Sequence, residues 1–152
     1  MIQRIQSVYL FLVFVISVVM LFVPISNYEL NDNSKLMPHS GQLNLLTNGY
    51  YLGFIIEILI MMLILFTIFR FKNRKQQIKL CWLIIILLIV LLIYCFFGIT
   101  FFTFGYALMF SLKNVHYLIG FYLPFISIVL CILAIRAIKK DDELVRAADR
   151  LR

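Results

Sequence analysis

A long apolar run occupies residues 78–101 and reads IKLCWLIIILLIVLLIYCFFGITF. A helix rises about 1.5 Å per residue, so about 20 residues are enough to cross the hydrocarbon core of a bilayer. The run meets that length, and apolar residues continue beyond Phe101. The chain as a whole is 64% hydrophobic with a mean hydropathy of +1.02, more than one soluble core of 152 residues needs. The run therefore predicts a membrane-spanning helix.

Three further apolar runs flank this span and are separated from it by polar or charged segments. They cover residues 5–23, 50–69 and 117–138. A cleaved signal peptide is the alternative for the first run, but only Arg4 is charged before it and no small-residue cleavage site follows Pro24. We therefore expect an all-α membrane protein, a four-helix transmembrane bundle formed by one domain over residues 1–152.

The connections on one side of the predicted spans are long enough to form a small cap outside the cytoplasm. Residues 25–48 are polar, and pieces at Asn27–Leu30 and Gln42–Thr47 resemble short strands around a turn. The apolar run continues beyond the third span through residues 98–112, which are rich in β-branched and aromatic side chains. This segment fits either a hairpin that pairs with the first connection or an extension of the helix, and both structures stay open.

Lysine and arginine are distributed very unequally between the two sides of the predicted spans. Of the 14 Lys and Arg residues, 12 lie on one side, namely Arg4, the five from Arg70 to Lys79 and the six from Arg136 to Arg152, and only Lys35 and Lys113 lie on the other. Because positive charge is retained on the cytoplasmic side, both termini and the middle connection are expected there. Membrane orientation thus accounts for the net charge of +7. We expect the lipid bilayer as a partner, and no nucleic acid.

Glu57 is the one formal charge well inside a predicted span. An ionisable side chain at the centre of a membrane helix costs about 2.5–3.5 kcal/mol, so such residues are candidates for function. Counting heights along the spans places Ser17, Tyr94 and Tyr122 at a similar depth, where their hydroxyls could hydrogen-bond the carboxyl. This intramembrane polar cluster either holds the helices together or lies on a proton or cation path.

The fourth span carries small residues at helical spacing along one face. They are Gly120, Pro124, Ser127, Cys131 and Ala134. Small side chains let helices approach closely in lipid, so this face is expected to pack against a helix of this chain or of a partner. Cys81 and Cys95 also lie in apolar segments, and we expect all three cysteines to be small buried side chains.

Residues 139–152, KKDDELVRAADRLR, form a charged tail that we expect to continue the fourth helix into the cytoplasm. Asp142 and Arg146 are four residues apart, which predicts an ion pair along the helix. The tail is either a solvated helix end or a docking segment for a protein partner, with its arginines binding an acidic surface. The docking residues would be Arg146, Asp149, Arg150 and Arg152.

The chain carries no recognisable catalytic motif. It has no Gly-rich phosphate loop, HExxH or GxSxG pattern, and no cysteine accompanies His39 or His116 as in a zinc site. We therefore expect no enzyme activity, no cofactor and no metal. A membrane enzyme that acts on lipid is the weakest alternative, and its candidates at headgroup level are Lys113, Asn114 and His116.

Four segments combine into a recognisable pattern. They are the opening MIQRIQSVYL, the middle connection FKNRKQQ, the Pro-containing last span and the ending KKDDELVRAADRLR. With these segments the chain resembles a bacterial family of small four-span membrane proteins catalogued as a domain of unknown function. The resemblance covers essentially the whole chain and implies a bacterial inner-membrane location, and it implies no activity, substrate or site.

Two hypotheses for function belong to different classes. The first is an accessory or scaffolding subunit of an inner-membrane complex, which the small-residue face and the patterned tail favour. The second is a small proton- or cation-coupled transporter or channel component that uses Glu57. Transporters usually carry internal repeats and more than one intramembrane charge, and this sequence has neither, so we prefer the first hypothesis.

Overall fold

Four helices and three short strands occupy the described part of the computed structural model, which comprises residues 3–30, 40–43, 45, 51–70, 73–110 and 112–150. The helices are α1 (Gln3–Phe22), α2 (Tyr51–Phe69), α3 (Arg74–Phe110) and α4 (Ile119–Arg150). The strands are β1 (Ser26–Leu30), β2 (Ser40–Leu43) and β3 (Leu112–Tyr117). The predicted mainly helical class is confirmed.

Three of these helices are long and apolar enough to span a membrane, as judged over the described residues. The helical segments that contain such an apolar stretch are Leu52–Phe69, Arg74–Ile99 and Ile119–Ala147, the last of which also includes the charged residues near its end. Only 28% to 33% of the apolar stretch in each segment is buried inside the protein. The outward faces expose large apolar side chains, among them Phe66, Trp82 and Ile126. Helices that are apolar both inside and outside indicate a membrane protein, because lipid solvates the outer faces.

The helices pack side by side, and each contacts two others in the cyclic order α1–α2–α3–α4. On each helix a series of buried positions recurs every three or four residues, the spacing that lets helices pack with a left-handed twist. Those positions are Gln6, Leu10, Val13, Ser17 and Met20 on α1, Gly53, Glu57, Ile60, Ile64 and Thr67 on α2, Gln77, Cys81, Ile84, Leu88, Leu91 and Cys95 on α3, and Gly120, Pro124, Ser127, Cys131, Ala134, Ile138 and Asp141 on α4. Ile85, Ile99 and Ile135 are buried in addition to this series.

An antiparallel sheet in the order β2-β1-β3 lies at one end of the helices, which we call the sheet end. Proline has no N–H to continue a helix, and Pro24 follows α1 directly before β1 begins. The β1–β3 pairing continues toward the helices through two backbone hydrogen bonds. Leu118 N–H donates to the Ile25 carbonyl at 2.9 Å, and Gly120 N–H donates to the Pro24 carbonyl at 3.2 Å. The sheet therefore ties the start of α4 to the end of α1.

The strands at the sheet end agree in part with the sequence prediction. The strand expected at Asn27–Leu30 is present as β1. The second strand was expected at Gln42–Thr47 and is found earlier, at Ser40–Leu43, while residues 44 and 46–47 lie outside the described residues. The difference follows from the antiparallel register, in which Ser26 opposes Leu43 and Glu29 opposes Ser40.

Within the segment 98–112, the helix α3 continues to Phe110 and β3 begins at Leu112, so the segment is a helix extension and not a hairpin, with residue 111 outside the described residues. The partner of the first connection is β3, which comes after the extension and pairs with β1. Beyond Ile99 the helix rises roughly 16 Å, and β3 returns over roughly 20 Å. The two lengths are similar, so β3 returns the chain from the end of the extension to the start of α4.

The opposite end of the helices, which we call the basic end, carries the start of α1, the α2–α3 connection and the last turns of α4. Asn73 begins α3, with its carbonyl accepting from Gln77 N–H at 3.0 Å, and asparagine is a favoured residue at this position. Asn73 N–H donates in turn to the Arg70 carbonyl at 3.1 Å, which closes a tight turn. All Lys and Arg side chains that the structure describes lie toward this end.

Candidate functional site

Glu57 lies on the buried face of α2, and its side chain is 0% exposed. It follows Gly53 by four residues and precedes Ile60 by three, so helical periodicity turns its carboxyl toward the other helices. Neither carboxyl oxygen makes a hydrogen bond of normal length and angle within the described part of the chain. Buried polar groups without partners are rare and costly, which marks this position as one with a specific role.

Side chains from two neighbouring helices face this carboxyl. Ser17 of α1 is 1% exposed and directs its hydroxyl toward Glu57, although the pair does not reach normal hydrogen-bond geometry. Cys95 of α3 is buried and lies close enough to interact electrostatically with the carboxyl. Helices α1, α2 and α3 therefore each place one polar or polarisable group at the same depth. We call Glu57 and Ser17 the mid-membrane pair.

Tyr94 and Leu45 cover the sheet-end side of the mid-membrane pair. A Cβ atom at Gly53, one turn from Glu57, would lie 2.8 Å from Leu45 Cδ2 and 2.9 Å from Tyr94 Cε1. Glycine is thus what allows both side chains to approach α2 so closely. Leu45 is 1% exposed, so it is inserted among the helices although it belongs to the connection between β2 and α2.

Tyr122 does not join this cluster. It is 55% exposed on the outer surface of α4, where its ring lies 5.7 Å from the ring of Phe121 between centroids. Tyr122 lies two residues from both buried Gly120 and buried Pro124, and at about 3.6 residues per turn two positions place it on the opposite face. Its side chain therefore lies on the face of α4 opposite to the buried one.

A carboxyl beside a hydroxyl can take up, hold and release a proton. It offers few ligands to a metal ion, since Ca²⁺ or Mg²⁺ takes about six or more oxygen atoms. Among the side chains that the structure describes, no three His, Cys, Asp or Glu residues come together. The headgroup-level residues of the lipid-enzyme hypothesis, Lys113, Asn114 and His116, fall in β3, where the His116 side chain is exposed.

A second buried polar cluster lies at the basic end, and the sequence analysis missed it. The Asp141 side chain of α4 accepts a hydrogen bond from Gln6 Nε2 at 3.1 Å and forms an ion pair with Arg74 Nη2 at 3.0 Å. Arg74 Nη1 also donates to the Asp141 carbonyl at 3.2 Å. These residues, which we call the basic-end clamp, join α1, α3 and α4 through one carboxylate.

The signal for the basic-end clamp was present in the helical spacing. Asp141 follows buried Ile138 by three residues and buried Ala134 by seven, so it continues the inward face of α4. Gln6 precedes buried Leu10 by four residues and buried Val13 by seven, so it continues the inward face of α1. The composition of the charged segment KKDDE suggested that all of its side chains lie in water. Only the helical spacing of buried residues on α4 distinguished Asp141 from its neighbours.

Beyond Asp141, α4 leaves the other helices and residues 143–147 are exposed. The predicted ion pair is confirmed, with Arg146 Nη2 2.8 Å from Asp142 Oδ2. Leu144 and Val145 lie beside it as exposed apolar side chains. Of the predicted docking residues, only Arg146 has a described side chain. The side chains of Asp149 and Arg150 and all of Arg152 lie outside the described residues.

The small residues of α4 all lie on its buried face. Gly120 makes the closest approach, because a Cβ atom there would lie 2.6 Å from the Pro24 carbonyl oxygen and 3.1 Å from the Val23 carbonyl oxygen. Cys131 lies near Cys81 on α3, and both thiols are free. The face therefore packs within the chain, against α1 at the sheet end and α3 further along.

The sequence of the whole chain, including the clamp and the mid-membrane pair, fits one family profile. The profile matches residues 2–151 and carries the description Domain of unknown function (DUF4293). The chain belongs to this family. No curated protein matches the chain. Membership agrees with the resemblance found in the two ends and the basic connection, and it adds no activity to what the geometry supports.

Proposed function

We propose that this DUF4293 chain is a four-span protein of the bacterial inner membrane that serves as an accessory or scaffolding subunit and not as an enzyme. In this proposal α4 presents its last turns to a cytoplasmic partner protein. The observation that carries the proposal is the contrast at Asp141. The clamp fixes α4 up to this residue, and the helix then continues with all of residues 143–147 exposed.

The connectivity of the helices supports four spans, with α1 as the fourth beside the three long apolar helices. α1 ends where the sheet begins, and α4 starts at the same end, so α1 and α4 run in opposite directions between the two ends. At about 1.5 Å per residue the 20-residue α1 is about 30 Å long, equal to the hydrocarbon core. The concentration of Lys and Arg at the basic end supports a cytoplasmic position for that end.

The exposed turns of α4 have the chemistry of a small docking surface. Leu144 and Val145 supply apolar contact area. Arg146 supplies a guanidinium group that forms an ion pair with Asp142. Arginine binds carboxylates in two-pronged geometry, which suits an acidic surface on the partner. Because the clamp orients the helix beforehand, less ordering is required on binding.

Removal of residues 143–152 tests this function while leaving Asp141 and its clamp in place. Cross-linking and affinity purification from native membranes in mild detergent should recover a cytoplasmic or membrane partner with the full chain and lose it with the shortened chain. Leu144→Asp should have the same effect in the full-length chain. Lys139→Glu, which alters an exposed charge on the same helix before the clamp, is the matched control and should retain the partner. Identical sets of recovered proteins for all four chains would refute docking through α4.

A second function, passage of protons or small cations, is supported by one specific observation. The Glu57 carboxyl is buried between helices and lacks a hydrogen-bond partner within the described residues. Intramembrane carboxyls of this kind often lie on ion pathways. In liposomes with an imposed proton gradient, Glu57→Gln should abolish a flux that the wild-type chain sustains. Glu143→Gln, at an exposed position beyond the membrane, should keep the wild-type rate. Wild-type liposomes as tight as empty ones would exclude transport by this chain alone.

A further inference from the structure

The mid-membrane pair combines two polar side chains that are both almost fully buried and both unsatisfied. Glu57 is 0% and Ser17 is 1% exposed. The two carboxyl oxygens and the serine oxygen all lack hydrogen-bond partners of normal geometry among the described residues. These polar groups without partners face each other across α1 and α2 and form a binding site. The species that the site binds depends on whether Glu57 is charged.

No positive charge in the described part of the chain balances a carboxylate at this position. Arg70, directly after the end of α2, is 13 residues away, which corresponds to about 20 Å along the helix. The groups that face Glu57 are Ser17 from α1 and Cys95 from α3, with Tyr94 one turn nearer the sheet end. None of these is a cation. An unbalanced charge in this position is disfavoured, so the carboxyl requires either a proton or a bound cation.

We propose that Glu57, with Ser17, forms a proton-binding site that Leu45 and Tyr94 close to water from the sheet end. The proton is favoured over a metal cation because the pair offers only two oxygen-bearing side chains, whereas Ca²⁺ and Mg²⁺ take about six or more oxygen ligands. Leu45 and Tyr94 pack together on Gly53, directly between the pair and the sheet end. This inference rests on the second proposed function, because it names the proton as the species that Glu57 binds there.

A carbodiimide reports on such a site because it reacts with the protonated carboxylic acid. The acid proton moves to a carbodiimide nitrogen while the carboxyl oxygen bonds to the central carbon, giving an O-acylisourea. An acyl shift from oxygen to nitrogen then gives a stable N-acylurea, so the whole reagent is added and nothing leaves. Dicyclohexylcarbodiimide enters lipid, and its water-soluble ethyl-dimethylaminopropyl analogue does not.

The experiment compares the two reagents on the full chain in lipid nanodiscs at neutral pH, with peptide mass spectrometry to locate the adduct. Dicyclohexylcarbodiimide should label Glu57 faster than exposed Glu143 by about tenfold or more, given the cost of ionisation within a membrane. The water-soluble reagent should label Glu143 and leave Glu57 unmodified. Replacing choline chloride by sodium chloride should not slow the labelling of Glu57. Protection by sodium would overturn the proton assignment in favour of a cation.

The closure toward the sheet end is tested by shortening the side chain that covers Gly53. Leu45→Ala should make Glu57 reactive toward the water-soluble carbodiimide. Leu52→Ala, which shortens a side chain 64% exposed on the outer surface of α2 next to Gly53, is the matched control and should leave Glu57 unreactive. If Leu45→Ala leaves Glu57 as protected as the control does, the closure is wrong.

An infrared measurement keeps the proposal testable should neither reagent reach the site. The difference spectrum of wild type minus Glu57→Gln at neutral pH should contain the C=O stretch of a protonated carboxylic acid. A carboxylate band in its place overturns the proposal. Labelling and the acid band are independent of flux, so a protonated Glu57 in liposomes that conduct no protons would retain the site and remove only the transport function.

Discussion

Each of the two buried polar clusters of this protein contains a carboxyl group, and the two groups differ in whether they have hydrogen-bond and ion-pair partners. In the basic-end clamp, the Asp141 carboxylate has Gln6 and Arg74 as partners, and three helices meet there. In the mid-membrane pair, the Glu57 carboxyl has no counter-charge and no hydrogen bond of normal geometry within the described residues. A satisfied cluster holds helices in place, whereas an unsatisfied carboxyl keeps the capacity to bind something else. Stability measurements on matched variants separate the two roles.

The largest effect is expected from Asp141→Ala, because it removes the carboxylate that lies nearest to the mostly buried Arg74 guanidinium and that accepts from Gln6. Arg74 is then left with a 4.0 Å contact with Asp142 and its bond to the residue-141 carbonyl. Removal of one member of a buried ion pair typically costs about 3–5 kcal/mol. Arg74 can shift toward water at the membrane surface, so we expect about 3 kcal/mol. Unfolding in mixed dodecyl maltoside and SDS micelles measures the change.

Two controls sharpen the Asp141 prediction. Asp142→Ala breaks a pair with the exposed Arg146 and a long contact of 4.0 Å with Arg74, and it should cost less than about 1 kcal/mol. The double variant Arg74→Met with Asp141→Leu removes both charges and should recover most of the lost stability. An Asp141→Ala variant as stable as Asp142→Ala would mean that the clamp contributes nothing to the fold.

The next largest effect is expected from Gly120→Ala, where the added methyl group would meet the Pro24 carbonyl oxygen at 2.6 Å. The backbone cannot yield locally, so α4 must move away from the end of α1 at a cost of about 1–3 kcal/mol. Ile119→Ala alters a residue with 71% exposure beside it and should change the free energy of unfolding by less than about 0.5 kcal/mol. Equal stabilities of the two variants would contradict the close approach.

A smaller effect is expected from Gly53→Ala, although the distances there are almost as short. The obstructing atoms are the ends of the Leu45 and Tyr94 side chains, which can rotate away, in contrast to a backbone carbonyl. Alanine also favours the helix over glycine by about 1 kcal/mol, which offsets part of the cost. We expect a net loss below about 1 kcal/mol in the same unfolding titration. A loss larger than that of Gly120→Ala would reverse this ranking.

The smallest effect is expected from Glu57→Gln. An amide has nearly the shape of a protonated carboxyl, and no ion pair of Glu57 exists in the described part of the chain to be broken. The free energy of unfolding should therefore change by less than about 0.5 kcal/mol. A loss comparable to that of Asp141→Ala would show that Glu57 is a charged structural residue, and the contrast between the two clusters would disappear.

The helices could be predicted from the sequence because lipid imposes simple rules on apolar length and on the placement of positive charge. The small-residue spacing also pointed to the face of α4 that is buried, from Gly120 to Ala134. Depth counting found Ser17 as a neighbour of Glu57 but misassigned Tyr122, because depth fixes height along a span and says nothing about the helix face. The buried face of each helix could have been assigned from residues spaced three and four positions apart.

The clamp and the α3 extension were harder to predict for physical reasons. Gln6, Arg74 and Asp141 are far apart in sequence and meet only when three helix ends come to the same height, which no local pattern determines. Residues beyond Ile99 have the composition of a strand as much as of a helix, and the pairing that decided the matter belongs to β3, further along the chain. Contacts between residues distant in sequence determine both the clamp and the α3 extension.

Both proposed functions require the proposed four-span arrangement, with the basic end in the cytoplasm and the sheet on the other side. Single cysteines introduced as His116→Cys in β3, Asn73→Cys in the α2–α3 connection and Glu143→Cys beyond the clamp test it in the unsubstituted background, because Cys81, Cys95 and Cys131 are buried. A membrane-impermeant maleimide added from outside, after the outer membrane is opened, should label His116→Cys alone. It should label Asn73→Cys and Glu143→Cys only once the inner membrane is also permeabilised. Labelling of Asn73→Cys together with His116→Cys from outside would contradict the arrangement.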